Sequence, residues 1–199
     1  MQPSDDARLQ ALHAHYLDTF AHIQATLRQR DRLFLFILSL ISVMLLQMVA
    51  PEESERAISE VVGAKLGLST PLDISVLGSV IWFAMLALVV RYFQAVVHLE
   101  RQYDYIHDLE DQLSRSFDGK AFTREGQAYL GNYPLFSRWT WVLYTILFPG
   151  LLIAVLGLKL GTEVYRSETF GLRTAFDPVA FAAVFVSTVL YLALAHFRR

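Results

Sequence analysis

The chain has 199 residues, of which 54% are hydrophobic and only 18% charged, with a formal net charge of -2 and no cysteine. That balance lies outside soluble usage and points to a membrane protein, and the missing cysteine excludes disulfides, thiolate zinc sites, iron–sulfur clusters and cysteine nucleophiles. With so small a net charge, attraction for a polyanion must come from how the charges are distributed. Residues 1–32 predict an amphipathic helix, because Leu9, Leu12, Tyr16, Phe20, Ile23 and Leu27 recur at spacings of three and four and form one apolar stripe. Ser4 is its expected N-cap. The polar run Arg28 to Arg32 contains no Pro or Gly, so this helix is expected to pass directly into the apolar stretch that begins at Leu33.

Four stretches contain no Asp, Glu, Lys or Arg: Leu33 to Pro51, Ile74 to Val90, Trp139 to Leu158 and Pro178 to Phe197. At about 1.5 Å per residue even the shortest covers roughly 25 Å, close to the hydrocarbon core of a bilayer. With their apolar flanks they predict transmembrane helices over 33–51, 73–97, 139–160 and 178–197, an all-α polytopic protein. Trp139, Trp141 and Tyr144 suit a headgroup boundary. Lys and Arg number twelve over residues 1–32, 98–138 and 198–199 with Arg91, against five on the loops 52–72 and 161–177 with Lys159. The bias places both termini and the middle segment in the cytoplasm.

The loop 52–72 is expected to hold a short helix from Ser54 to Leu66, with apolar residues at 57, 58, 61, 62 and 66. Beyond the second span, Leu99, Ile106 and Leu113 repeat every seven residues beside Tyr103, Leu109 and Phe117, so that span is expected to continue as a cytoplasmic helix. Glu100, Asp104, Asp108, Glu110 and Asp111 take its outer faces. The two apolar seams pair with one another within the chain, or with copies in a homo-oligomer. Asp118 and Gly119 are the expected end of the second helix.

Polar groups inside the spans are the first candidate site. Ser39, Ser42 and Gln47 in the first span, and Ser75 and Ser79 in the second, either line a narrow wet pore or bond across helices. No ionisable residue is expected near the midplane, which argues against an ion- or proton-coupled transporter and leaves a pore gated by apolar constriction. Pro149 and Gly150 are expected to kink the third span, and Gly157 with Gly161 hints at close helix contact.

The second candidate is the segment before the third span, "FTREGQAYLGNYPLFSRW", residues 122 to 139. Its turn formers Gly126, Gly131, Asn132 and Pro134 fold it back toward the headgroups. Lys120, Arg124 and Arg138, with Arg28, Arg30 and Arg32 below the first span and Arg198 and Arg199 at the C-terminus, then form a basic ring interleaved with Phe122, Tyr129, Tyr133 and Phe136. Cations and flat rings together bind either single-stranded oligonucleotide, by phosphate pairing and base stacking, or anionic lipid headgroups. No HExxH, P-loop, GxSxG or paired-carboxylate pattern occurs, so neither an enzyme nor a cofactor is expected. The histidines His13, His15, His22, His98, His107 and His196 show no metal-ligand spacing.

"YDYIHDLEDQL" (103 to 113), the segment 122 to 139 and the proline-interrupted "LYTILFPGLLI" (143 to 153) resemble the Hailong B-like family of four-span membrane effectors of bacterial anti-phage defence. The likeness covers roughly residues 99 to 155. It implies a homo-oligomeric, tetrameric ion channel of the bacterial inner membrane, held closed by single-stranded oligodeoxyadenylate from a nucleotidyltransferase-like partner enzyme, and opened when infection removes that ligand. On this reading Arg28, Arg30, Arg32, Lys120, Arg124, Tyr129, Tyr133 and Arg138 are the ligand-binding candidates. The alternative is a non-conducting membrane scaffold or anchor that binds a cytosolic partner.

Overall fold

The structure, a computed structural model, describes residues 5–67, 74–115, 135–166 and 172–197. Of these residues 98% are helical and none is in a strand. The helices are α1 (Asp5–Val49), α2 (Pro51–Leu66), α3 (Ile74–Ser114), α4 (Leu135–Val142), α5 (Phe148–Arg166) and α6 (Leu172–Phe197), with a π-helical turn at Leu143–Leu147 between α4 and α5. Among the described residues four helical stretches are long and apolar enough to cross a membrane: Asp6–Val49, Gly78–Ser114, Trp139–Tyr165 and Phe176–Leu194. The expected continuity of the first and second spans with polar helices is present, since α1 and α3 are each unbroken over more than forty residues. Ser4, Phe117, Asp118 and Gly119 lie outside the described residues.

α1 stops because Pro51 disfavours helical dihedrals in the residue before it; Ala50 sits at φ -133°, ψ 70°. Pro51 then occupies the first turn of α2, where its missing N–H costs nothing, and Glu52 and Glu53 favour the positive end of that helix. Gly67 ends α2 at φ 64°, donating its N–H to the Gly63 carbonyl. That left-handed conformation suits a residue without a Cβ. The short helix expected between the first two spans is therefore present and begins three residues earlier than Ser54.

The chain divides into two compact units, one formed by residues 1–32 and 94–142 and the other by 33–93 and 143–199. In the first unit, Ile23 of α1 and Leu99 and Ile106 of α3 form a buried core, with Tyr16, Phe20, Leu27 and Tyr103 packed against it. The seven-residue repeat is buried throughout, Leu113 included. The two seams therefore pair with each other inside the chain. Each such side chain contributes about 1.5–3 kcal/mol by leaving water. Glu110 departs from expectation: it belongs to the covered face and is only 2% exposed. Its Oε1 accepts the Tyr16 hydroxyl at 3.1 Å, which offsets part of the cost of taking a carboxylate out of water. Beside it, the His15 Nε2 and the Tyr105 hydroxyl lie 2.7 Å apart, with the rings edge to face.

The second unit holds Ile37, Met44, Trp82, Met85, Val89, Leu152, Leu156 and Val184, all fully buried. Helix association in lipid gains nothing from simple apolar burial, because acyl chains are as apolar as leucine, so packing and polar ties carry it. Packing is concentrated in six rings drawn from five elements. Phe34 lies 4.8 Å from Phe148, 5.1 Å from Tyr144 and 6.2 Å from Tyr92 between centroids. Tyr92 contacts Phe148 and Phe93, and Phe93 stacks on Tyr191 at 4.4 Å and 11°.

The irregularity expected at Pro149 takes the form of the π-helical turn just before it. Pro149 has no N–H to donate to the Thr145 carbonyl, and its ring would strike that oxygen in a regular α-turn. Widening the turn by one residue relieves both. Among the described residues the Gly157/Gly161 pair makes no close approach: a Cβ on Gly157 would meet the Phe181 ring, at 3.8 Å, and one on Gly161 would meet nothing within 4 Å. The loop expected over 161–177 is helical at both of its ends, since α5 runs to Arg166 and α6 starts at Leu172.

Candidate functional site

Within the first unit, α1 carries three of the candidate cations, and they do not act alike. Arg28 and Arg32, four residues apart, share a helix face and are both exposed. Arg30 points elsewhere: its Nε and Nη2 donate to Asp31 Oδ1 at 3.0 and 2.7 Å, and its side chain is only 30% exposed. The Asp31 carboxylate has thus already claimed one of the three guanidinium groups, leaving a two-arginine face for an anion. Lys120, Arg124, Tyr129 and Tyr133 lie outside the described residues, as do Arg198 and Arg199. Arg138 falls within α4, but its side chain is not described.

In the second unit the pore candidates separate onto different faces. Ser39 and Ser42 are exposed on α1, each hydroxyl donating to the carbonyl four residues back, Leu35 and Leu38, at 2.9 Å. Their donors are satisfied and their lone pairs still accept from water. Gln47, by contrast, is 9% exposed and turned into the unit. Ser79 is half-buried, and the Ser75 side chain is not described. The structure thus brings Ser39 and Ser42 together on one open face and leaves Gln47 apart from them.

A cluster that sequence reasoning missed lies at the far end of α5. Lys159 Nζ sits 3.0 Å from Glu163 Oε1, with side chains only 10% and 19% exposed. The indole N–H of Trp82, from α3, donates to Glu163 Oε2 at 2.9 Å. Both carboxylate oxygens therefore hold a donor, one from the same helix and one from another. Asp177 on α6 is also buried, at 4% exposure. Five residues separate α5 from α6, too few to return along a helix length, so the two run antiparallel. Gly157 faces Phe181, which sets Asp177 level with Gly161, inside the turn bounded by Lys159 and Glu163. The readable signal was a lysine and a glutamate four apart after an apolar run, together with a tryptophan in an uncharged span whose N–H needs an acceptor.

The chain matches no protein-family model, no curated protein and no solved structure.

Proposed function

We propose that this protein is a membrane effector of bacterial anti-phage defence: a homo-oligomeric, tetrameric ion channel of the inner membrane, with both termini cytoplasmic, gated by single-stranded oligodeoxyadenylate. A nucleotidyltransferase-like enzyme supplies the ligand, and its loss on infection opens the pore and collapses the membrane potential. The observation that carries the conducting part is the open face of α1, where Ser39 and Ser42 stand uncovered by their own chain in a segment otherwise made for lipid. Copies arranged about an axis give those hydroxyls a use, because their lone pairs accept from water and from hydrated ions. The ligand part rests on the resemblance of residues 99 to 155 and on the exposed pair Arg28 and Arg32, which offers cations to phosphates. A symmetric assembly multiplies each such contact.

The experiment is ion flux from liposomes containing the purified protein, with and without oligodeoxyadenylate. Flux that the oligonucleotide suppresses supports the reading, and a folded oligomer that passes no current under either condition overturns it. One observation favours the second reading, a non-conducting scaffold: the Ser39 and Ser42 hydroxyls already bond to their own helix and are tolerable against lipid. On that reading, Ser39→Leu with Ser42→Leu leaves function intact, whereas in the channel it reduces flux.

A further inference from the structure

The second unit contains an open groove of about 540 Å³ between α1 and α3, walled by Phe36, Leu40 and Val43 on one helix and Ala84, Ala87 and Leu88 on the other. Its one polar wall residue is Ser39, whose hydroxyl is already donated to Leu35 O. The groove therefore asks nothing of an occupant except alkyl surface. Phe36 to Val43 spans seven helical steps, about 10 Å, or roughly two-thirds of the depth of one leaflet. The face of α3 that forms its floor continues to Arg91, since residues 84, 87, 88 and 91 fall on one helical stripe. Arg91 is exposed, and it is the one charged residue in 74–93. Among the described residues no carboxylate pairs with it.

An apolar trough ending in an uncommitted guanidinium matches one chemistry. We propose that this groove binds an anionic phospholipid from the leaflet on the Arg91 side, with the headgroup phosphate on Arg91 and one acyl chain lying along Leu88, Ala87 and Ala84. The small alanines leave the room, and the guanidinium supplies a planar fork for phosphate oxygens. Lipid headgroup and free phosphate differ here, because only the lipid also fills the trough. The proposal does not rest on the protein conducting, although Ser39 belongs both to this groove and to the proposed conducting face.

The absence of cysteine allows a clean test. Val80, exposed and one turn beyond Ala84 on the same stripe, takes a fluorophore through Val80→Cys without filling the groove. It lies about 16 Å along the helix from Arg91, one leaflet away. The labelled protein is reconstituted in phosphatidylcholine vesicles carrying either tail-brominated phosphatidylglycerol or tail-brominated phosphatidylcholine. The expected result is that roughly fivefold less brominated phosphatidylglycerol gives half-maximal quenching, the factor one cation near the surface contributes. Arg91→Gln makes the two lipids equal. Ala87→Phe, which blocks the trough at an exposed position and keeps the arginine, removes the preference too; Ala87→Met serves as the milder filler. Equal quenching in the parent overturns the proposal. So does a preference that survives Arg91→Gln, or one that survives the fillers, which reduces the effect to charge attraction at the surface. Failure of both lipids to quench also overturns it, and assigns the groove to a second copy of the chain.

Discussion

The indole nitrogen of Trp82 lies 2.9 Å from Oε2 of Glu163, joining α3 to α5 through a carboxylate whose other oxygen holds Lys159. In a bundle whose apolar burial is matched by lipid, such a tie carries more of the helix pairing than its size suggests. Glu163→Leu takes from the buried Lys159 ammonium the carboxylate it pairs with and is expected to cost about 3–5 kcal/mol. Trp82→Phe keeps most of the ring and loses one bond to a charged acceptor, about 1.5–3 kcal/mol. The double change Lys159→Met with Glu163→Leu should recover most of the loss, since it removes both desolvated charges. Unfolding midpoints in mixed detergent check all three, and a Glu163→Leu protein as stable as the parent contradicts the tie.

Pro149 offers a geometric prediction. Because the π-turn at Leu143–Leu147 inserts one residue to clear the proline, Pro149→Ala removes its cause and lets the segment close into an α-helix. Everything before the turn then rotates by about 100° relative to α5, the angle one residue subtends. Thr145 is 8% exposed and Ile146 52% exposed. A cysteine placed at 145 labels slowly in the parent and quickly after Pro149→Ala. Labelling rates at 145 and 146 that do not change show that packing, and not the proline, holds the π-turn.

In the first unit, Ile106 is fully buried against Ile23 and Leu99. Truncation to alanine there is expected to cost about 2–5 kcal/mol. Tyr16→Phe withdraws the hydroxyl from the buried Glu110 carboxylate at a cost of about 1–3 kcal/mol. Hydrogen exchange along residues 9–27 reads both, as faster opening of α1. Protection unaltered by Ile106→Ala rules out the seam as the contact that orders this stretch.

The seam was readable because water stands on one side of it: Leu99, Ile106 and Leu113 keep a seven-residue period only if one face is to be dry. The same physics explains α1 running unbroken through Arg28 to Arg32, where nothing in the side chains stops a helix. It fails inside the spans. A uniformly apolar helix satisfies lipid and protein equally, so no period distinguishes the face holding Ser39 and Ser42 from the face holding Gln47. The Lys159 and Glu163 pair stayed hidden for a related reason. A charge after an apolar run reads as the start of a loop, and only the continuation of α5 to Arg166 sets Glu163 between Lys159 and the Trp82 indole. Glu110 looked solvated for want of knowing that a tyrosine hydroxyl, ninety-four residues earlier in the chain, would reach it.

Oligonucleotide binding is where the inequality of the three arginines becomes measurable. Arg28 and Arg32 are exposed on one face, while Arg30 is held by Asp31 at 2.7 Å. Each phosphate neutralised on a single strand adds about 0.7 to the slope of log affinity against log salt. Arg28→Gln with Arg32→Gln should therefore weaken binding of single-stranded oligodeoxyadenylate and lower that slope by about 1.4 per subunit engaged. Arg30→Gln should leave both nearly unchanged, because its charge is already spent on a neighbour. Fluorescence anisotropy of a labelled oligomer across a salt series gives affinity and slope together. Equal losses from all three positions would mean that Asp31 releases Arg30 on binding, and a slope that none of them alters would remove this face of α1 from the ligand site.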